Sequence, residues 1–400
     1  GIVVADLVHE LREELLNGRI ARIVQPEPDE LLLTIKTPDG QKRLLICADA
    51  SLPLVYLTDS NKSAPMTAPN FCMLLRKHIG NGRIIDISQP KLERIIRFTI
   101  EHLNELGDLC RKLLIVEIMG KHSNIIFCTE DGKIIDSIKH VSSQMSSVRE
   151  VLPGREYFIP DTMHKADPLT VSKEEFVSLM SEKPMSAAKA MYTSFTGISP
   201  VTAEEICHLA GLDSSIPAKE YSGDILFHLY TQFEIYLSAV KESRFSPAIY
   251  FDGREPKEFS ALPLTHLSGY TRQELPSISE VLKTYYSTRS QITHIRQKSA
   301  DLRHVVQTAL ERSRKKYDLQ LRQLKDTENR EKYKVYGELI NTYGYNVEEG
   351  AKQLEALNYY TNEMITIPLD PVKTPQENAQ RYFAKYNKQK RTFEALFELC

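Results

Sequence analysis

A cluster of cationic side chains in the stretch LLRKHIGNGR has the chemistry to bind phosphate. Arg76, Lys77, His78 and Arg83 lie within eight residues, along a predicted short helix and its exit. Guanidinium, ammonium and protonated imidazole groups all donate hydrogen bonds to phosphate oxygens. A solvated helix face would carry the same residues, so this stretch predicts either a phosphate contact or an ordinary surface.

The stretch VEIMGKHSNIIFC contains two apolar runs with a polar interruption between them. The interruption is Gly120 to Asn124, and it carries Lys121 and His122. A histidine there could gain charge when a phosphate approaches. A tight turn, a turn that grips a ligand and the start of a helix all fit this pattern.

The stretch PKLERIIRF places an acid next to a base. Glu93 and Arg94 are adjacent in a predicted strand, so we expect their side chains to point to opposite faces. Solvated charges at the end of a strand are the alternative. Nothing in the spacing makes the two residues a catalytic pair.

The stretch FTGISPVTAEEICHLAG has the form of a helix-hairpin-helix. Gly197 permits a sharp turn, and Ser199 with the following proline begins the next helix. Such a hairpin can offer backbone N–H groups to a phosphate, because the first N–H groups of a helix lack partners. An ordinary helical corner would have the same sequence pattern.

Conventional catalytic signatures are missing from the sequence. No GxSxG, P-loop or HExxH motif occurs, and no GxGxxG precedes an acidic residue. The 11 histidines are dispersed and the 6 cysteines form no CxxC pair, so we predict neither a metal site nor a cofactor. The residues are therefore typical of a binding protein and not of an enzyme.

The composition is that of a globular chain with reduced thiols. Its 400 residues are 42% hydrophobic and 26% charged, which favours two or three domains. No apolar run approaches the roughly eighteen residues of a membrane span, and GIVVAD at the start does not resemble a signal peptide. We therefore predict a cytoplasmic protein. Because the net charge is −2, affinity for a polyanion must come from local patches.

The order of predicted elements indicates an α+β fold in three domains. Residues 1–164 contain short strands, turns and two helices, which favours an antiparallel sheet flanked by helices. Leu7, Leu11 and Leu15 have helical spacing, and turns at Gly40 and Gly132 predict hairpins. Residues 165–277 are helical with a small strand-like insert. Residues 278–400 contain a helix to about 342, a small Tyr-rich helical tip, the extended segment ITIPLDPVKTPQENA and a last helix from about 375. We expect the first and last of these helices to form an antiparallel coiled-coil arm. The first of these helices has a thin apolar stripe of Leu302, Val306, Ala309, Ser313, Tyr317, Leu321 and Leu324.

Five stretches together resemble the NFACT family, which contains the ribosome quality control factors of the bacterial RqcH type and their eukaryotic relatives. Many bacterial members carry the label fibronectin-binding protein A. The order and spacing of the stretches cover nearly the whole chain. They are PNFCMLLRKHI (69–79), LERIIRF (92–98), VEIMGKHSNII (116–126), REVLPGREYFIP (149–160) and PLDPVKTPQENAQRYFAKYNKQK (368–390).

The resemblance implies both a fold and a role. The first domain would be similar to the amino-terminal domain of formamidopyrimidine-type DNA glycosylases, and helix-hairpin-helix and coiled-coil domains would follow. Such proteins bind the large ribosomal subunit that holds a stalled peptidyl-tRNA, and they recruit tRNA, in bacteria charged with alanine. The ribosome then extends the stalled chain without a template. Neither a membrane nor a small-molecule substrate is expected.

The resemblance also assigns roles to residues of this chain. The family has an acidic-Arg pair that is needed for this extension without a template, which is called tailing. Glu93-Arg94 corresponds to that pair, with Glu where the family commonly has Asp. Gly120 to Asn124 is then expected to be a loop between strands that faces RNA. The residues predicted to contact tRNA are Arg76, Lys77, His78, Lys121, His122 and Asn124.

The sequence departs from the family pattern at two places, and two other functions are possible. The family usually has an acidic residue before the position of Gly1, and its small carboxy-terminal RNA-binding domain has no counterpart before Cys400, so we expect a truncated chain. A surface adhesin that binds fibronectin is the alternative function, which the missing secretion signal opposes. A DNA glycosylase would need an amino-terminal Pro followed by Glu, and GIVVAD has neither.

Overall fold

The computed structural model describes residues 1–398. The chain divides into two compact units, Gly1–Thr293 and His294–Cys400. The predicted sheet domain and helical domain both lie in the first unit, so a division into three domains stays a prediction. Among the described residues, no helix has both the length and the apolar character needed to cross a membrane.

A large antiparallel sheet organises the amino-terminal part of the first unit, and this confirms the predicted α+β class. Within the described residues its strands are β1 Arg19–Val24, β2 Glu30–Thr37, β3 Gly40–Cys47, β4 Leu54–Thr58, β5 Arg83–Ser88, β6 Ile95–Leu103, β7 Leu109–Glu117, β8 Asn124–Thr129 and β9 Ile134–Ser137. They lie in the order β4-β3-β2-β1-β5-β6-β7-β8-β9. The predicted hairpin turns contain Gly40 and Gly132, whose φ angles of 116° and 93° suit glycine.

Two helices pack on this sheet, α1 Ile2–Leu15 and α2 Asn70–Ile79. Leu7, Leu11 and Leu15 are four residues apart, so they share one face of α1, and each is at most 1% exposed. Full burial of such a side chain stabilises the fold by roughly 1.5–3 kcal/mol. The regular spacing of leucines therefore holds α1 on the sheet, as the sequence predicts.

Four helices follow in the first unit: α3 Lys173–Ser181, α4 Ala187–Ser194, α5 Pro200–Leu209 and α6 Gly223–Lys241. Each begins after a serine whose hydroxyl accepts a hydrogen bond from a backbone N–H three residues later. Phe176, Phe195 and Phe233 form the centre of this core, with ring centroids 5.0 to 5.3 Å apart. The predicted insert is a three-stranded sheet of β10 Ala248–Asp252, β11 Glu255–Ser260 and β12 Thr271–Glu274.

The remaining elements are α7 Ile278–Asp326, α8 Arg330–Tyr343, β13 Gln353–Asn358, β14 Glu363–Pro368 and α9 Pro375–Phe397. The prediction of a small helical Tyr-rich tip is wrong, because β13 pairs with β14 as an antiparallel hairpin. Strand β14 overlaps the segment that the sequence predicts to be extended. Ala356 and Ile367 of this hairpin are buried against the helices, so tertiary packing decides its conformation. Residues 399 and 400, at the end of the predicted last helix, lie outside the described residues.

Helices α8 and α9 pack against each other in opposite directions. Gly337 lies so close to the ring of Phe383 that an added Cβ would be 2.8 Å from it. About two helical turns before Gly337 in α8, the Arg330 guanidinium lies 4.1 Å from the centroid of the Phe393 ring in α9. The part of the predicted arm that pairs with the last helix is therefore α8, whereas pairing along α7 as a coiled coil stays a prediction.

Candidate nucleic-acid interface

The acidic-Arg pair lies in a loop and not in a strand, which corrects the sequence prediction. Glu93 and Arg94 immediately precede β6, after a turn in which Lys91 has a φ of 51°. The side-chain amide of Gln89 donates to the Glu93 carbonyl oxygen at 2.7 Å, and the N–H of Ile118 donates to the Arg94 carbonyl oxygen at 2.9 Å. The backbone of the pair is thus held from both sides, while the Glu93 side chain is half-buried and that of Arg94 is exposed.

A cavity of about 180 Å³ opens beside this pair, and Lys165 adds a second cation to it. The Lys165 ammonium donates to the Tyr192 carbonyl oxygen at 3.0 Å. Burial raises the pKa of Glu93, although the neighbouring cations oppose that shift, and burial together with Arg94 lowers the pKa of Lys165. Asp161 also lines this cavity, so two carboxylates and two cations face a partly desolvated space. No motif in the sequence points to Lys165, which lies far from the pair along the chain.

The turn of the predicted hairpin packs directly on the loop that carries the acidic-Arg pair. Gly197 has a φ of 77°, and a Cβ added there would lie 2.1 Å from the Leu92 carbonyl oxygen. Gly1 approaches the same oxygen, with an added Cβ 2.3 Å away. Only residues without a side chain let these three backbone segments meet. Gly197 therefore positions the loop, and its predicted contact with phosphate stays a prediction.

The hydroxyl of Ser199 is already used within α5. It accepts a hydrogen bond from the N–H of Thr202 at 3.2 Å and so caps the helix. A role for Ser199 in binding phosphate therefore rests on the backbone around it, and that role also stays a prediction.

The polar interruption in the stretch 116–128 connects two strands, as predicted, and it contains a single turn of 3₁₀ helix, Gly120–His122. Gly120 has a φ of 57°, and the hydroxyl of Ser123 accepts from the N–H of Met119 at 2.8 Å. These bonds fix the turn between β7 and β8. Lys121 and His122 are exposed on it, as an RNA contact requires.

Asn124 differs from its two predicted partners because its side chain is 2% exposed. Its amide nitrogen donates to the Lys139 carbonyl oxygen at 3.0 Å, and its amide oxygen accepts from the N–H of Lys139 at 3.1 Å and of Ile125 at 2.9 Å. The side chain therefore joins β8 to the segment after β9. This burial corrects the expectation of an accessible Asn124.

Two cations of α2 point to different partners. The Arg76 Nε donates to the Ile23 carbonyl oxygen at 2.8 Å. The Lys77 ammonium lies 3.0 Å from a carboxylate oxygen of Glu105, and both side chains are largely exposed. An exposed ion pair of this kind contributes little to stability, so Lys77 can exchange Glu105 for another anion at small cost.

His78 faces a second histidine, His102, with ring centroids 6.4 Å apart. Burial lowers the pKa of both rings, and the charge of Lys112 lowers the pKa of both further. The alternation in the β6 sequence IIRFTIEHL places His102 on the same buried face as Phe98 and Ile100. That alternation is the signal by which His102 could have been found.

The candidate residues form two groups at opposite ends of β6. The pair end consists of Glu93, Arg94, Lys121, His122 and Lys165. Lys121 and His122 belong to it because they follow Glu117, the last residue of β7, which pairs with Ile95 at the start of β6. The histidine end consists of Lys77, His78, His102 and Lys112. Strand β6 has 9 residues. The steps between neighbouring residues of an antiparallel strand rise about 3.4 Å each, so the two ends of β6 are about 27 Å apart. The single cationic surface that the sequence predicts is therefore two separate groups.

A buried ionic network fastens the segment 149–160 beside the pair end. The Glu117 side chain is fully buried, forms an ion pair with Arg149 and accepts from the Tyr157 hydroxyl at 3.0 Å. The Arg149 guanidinium also lies 5.5 Å from the centroid of the Tyr157 ring. With both carboxylate oxygens bonded, Glu117 serves the fold. Across residues 1–398, no group of three or more histidine, cysteine or acidic side chains could hold a metal ion.

Known proteins are similar to this chain over its whole length. The family described as NFACT N-terminal and middle domains matches residues 1–400. The chain is similar to the Rqc2 homolog RqcH of Bacillus subtilis, with 37% identity over 402 residues that cover 100% of this chain and 68% of that protein.

Two solved structures share the fold. One is the N-terminal part of the fibronectin/fibrinogen-binding protein from Streptococcus suis, with a TM-score of 0.58, 32% identity and coverage of 72% of this chain and 98% of that one. The other is the fibrinogen binding protein from Staphylococcus aureus, with a TM-score of 0.60, 26% identity and the same coverage. With the family match over residues 1–400, these likenesses show that the chain belongs to the NFACT family.

Proposed function

We propose that this chain acts in ribosome quality control. In this proposal it binds the large ribosomal subunit that carries a stalled peptidyl-tRNA and recruits tRNA charged with alanine, so that the stalled chain is extended at its carboxyl terminus without a template. Membership of the NFACT family and similarity to proteins named RqcH support this role. The observation that carries it at the level of residues is the loop that holds Glu93 and Arg94 beside Lys165 at one cavity.

The charges at the pair end suit an RNA ligand. The Arg94 guanidinium can hold a phosphate through two parallel hydrogen bonds, and Lys165 adds a second positive charge. The Glu93 carboxylate can accept a hydrogen bond from a ribose 2′-hydroxyl, a group that distinguishes RNA from DNA. Glu93 reaches one methylene further than the Asp that the family commonly has, and it keeps the same charge.

Peptidyl transfer itself belongs to ribosomal RNA in this proposal. The protein positions tRNA, so no catalytic residue, cofactor or metal is assigned to it. The hairpin of α4 and α5 would hold the acidic-Arg loop in place, and the long α7 would form a coiled-coil arm that reaches the ribosome. The site of action would be the cytoplasm.

The decisive experiment is recovery of the tagged chain from bacterial cells, followed by sequencing of the bound RNA. We expect enrichment of alanine tRNA together with RNA of the large subunit. Arg94→Ala should lose the tRNA, whereas Arg244→Ala, which removes an exposed guanidinium paired with Glu242, should keep it. Recovery of an unselective tRNA pool, or equal recovery with both variants, would contradict the proposal.

Binding of fibronectin is the second candidate, because a solved structure with the same fold is named for it. The two functions require different locations. Fractionation of cells that express the tagged chain should place it with ribosomal particles. A chain found at the cell surface, and retained by immobilised fibronectin, would favour the adhesin.

A further inference from the structure

A second pocket, of about 360 Å³, lies at the histidine end between α2 and the turn that joins β6 to β7. We propose that this pocket binds the oxyanion of a phosphate group, held by Lys77 and Lys112, with His78 and His102 as neighbours that accept protons. If the phosphate belongs to bound RNA, this inference rests on the proposed function. A free phosphate compound is the other possible source.

The balance of charge in the pocket favours an anion. Lys77 and Lys112 contribute two positive charges, and Glu105 is the acidic side chain among the residues that line it. Glu105 is occupied by Lys77 in an exposed pair. A phosphate oxyanion can replace Glu105 as the partner of Lys77 and reach Lys112 at the same time.

The hydrogen bonds of His102 show which of its nitrogens can take up a proton. Its Nδ1 lies 3.1 Å from the Leu103 carbonyl oxygen, and a carbonyl oxygen can only accept, so Nδ1 carries the hydrogen. Its Nε2 lies 3.3 Å from the Lys112 ammonium and 3.2 Å from the Cys110 sulfur, and it accepts from them. His102 is therefore neutral, and the lone pair of Nε2 is shared by these two donors. When an anion engages Lys112, Nε2 can take up a proton and donate to the same anion.

The surroundings of both histidines make this uptake depend on an anion. Lys77, Lys112, Glu105 and Cys110 are the charged or titratable groups beside the two rings. Burial and the two lysines lower the pKa of His78, and burial and Lys112 lower the pKa of His102. Both shifts favour the neutral form of the ring. A bound anion stabilises the charged forms and opposes that shift. Binding should therefore strengthen as the pH falls below about 6.5, the usual pKa of histidine.

Sulfate is the probe that tests the site, because its double charge does not change between pH 5 and 8. We expect titration calorimetry to show sulfate binding that tightens as the pH falls from 7.5 to 5.5, with proton uptake. The ring signals of His78 and His102 should shift in nuclear magnetic resonance spectra. Absence of binding, or of movement in both ring signals, would overturn the inference.

Two variants and one control make the test specific. Lys112→Gln should weaken sulfate binding at least tenfold. Arg111→Gln is the matched control, since strand alternation puts Arg111 on the opposite face, where it pairs with Glu101, and its binding should stay within twofold. His102→Gln keeps Lys112 and should bind sulfate at pH 7.5 with a reduced dependence on pH. An unchanged pH dependence in His102→Gln, or an equal loss in Lys112→Gln and Arg111→Gln, would overturn the inference.

Parallel binding of tRNA separates this inference from the proposed function. Loss of both sulfate and tRNA affinity in Lys112→Gln would support RNA as the source of the phosphate. Loss of sulfate affinity alone would support a free phosphate ligand and overturn RNA as the source. If tRNA binds and sulfate does not, the pocket proposal fails and the proposed function stands. If sulfate binds while tRNA and ribosomal subunits do not, the pocket stands and the proposed function fails.

Discussion

The two ends of β6, which we propose to bind anionic groups, differ in how their side chains and backbone are held. At the pair end the backbone is fixed by Gln89, Ile118 and the close approach of Gly197, and a half-buried carboxylate accompanies the cations. At the histidine end the pocket consists of side chains, and its one carboxylate is exposed. The first end therefore depends on backbone geometry, and the second depends on charge and on protons.

The two ends also respond to pH with opposite sign. The pKa of Glu93 is raised in the folded chain, so the folded state holds its proton more tightly and stability falls as the pH rises through that pKa. The pKa values of His78 and His102 are lowered, so the unfolded state binds more protons below about pH 6.5 and stability falls as the pH drops. Burial thus favours the uncharged form at both ends, which is a protonated carboxyl at the first and neutral rings at the second.

The largest effect that we expect comes from Gly197→Ala at the pair end. The new Cβ would collide with the Leu92 carbonyl oxygen in a backbone conformation that alanine rarely adopts. Crowding of about 1–3 kcal/mol and about 1–2 kcal/mol for the left-handed conformation should lower the free energy of unfolding by about 3 kcal/mol. Urea denaturation measures it.

Gly211→Ala is the control for this prediction. Gly211 also has a positive φ, 67°, but nothing lies within 4 Å of an added Cβ. It should lose only the conformational part, about 1 kcal/mol. Equal losses in the two variants would mean that close packing does not fix the pair end.

The next effect separates the two ends in a tailing reaction reconstituted with large subunits. Arg94→Ala should reduce the rate at least tenfold, since a hydrogen-bonded charge contributes about 1.5–3 kcal/mol. Lys77→Ala should reduce it less than threefold, because Lys77 is exposed and shares its charge with Glu105. A greater loss of rate in Lys77→Ala than in Arg94→Ala would mean that the histidine end, and not the pair end, is the more important for tailing.

A smaller effect concerns the salt dependence of tRNA binding. Lys121→Ala should flatten the slope of log affinity against log salt by about one, because one phosphate contact is lost. Arg76→Ala should change the slope less, since its Nε already binds the Ile23 carbonyl oxygen. Electrophoretic binding across a salt series measures both. Unchanged slopes in both variants would remove these residues from the interface.

The smallest effect is on stability in acid. Replacement of His102 by Gln removes one ring that the unfolded chain protonates more readily than the folded chain does. The variant should therefore lose less stability than the parent when the pH falls from 6.5 to 5, as urea denaturation at each pH can show. His122→Gln, at an exposed position, should follow the parent.

Much of the fold could be predicted because it depends on local patterns. Leucines at intervals of four predict α1, and turn glycines predict the hairpins at Gly40 and Gly132. The serines that begin α3 to α6 likewise satisfy backbone N–H groups close to them in the chain. The hairpin of β13 and β14 was harder to predict, because each strand is short and its burial against helices is not visible in the sequence.

The sites were less predictable than the fold because they depend on contacts between distant segments. Asn124 follows two exposed polar residues along the chain, yet its side chain is buried in hydrogen bonds to the segment after β9. The sequence predicts Glu93 and Arg94 within a strand, but they lie in a loop between the turn at Lys91 and the start of β6. A residue's neighbours in sequence do not show which side chains share its space.

The sequence by itself determined the α+β class, the family and the identity of the cationic residues, because periodicity and motifs are properties of neighbouring residues. Only the tertiary structure separated those cations into two groups about 27 Å apart at the ends of β6. It also brought Lys165 to Glu93 and His102 to His78. Strand pairing and loop packing set these distances, and both join residues that are far apart along the chain.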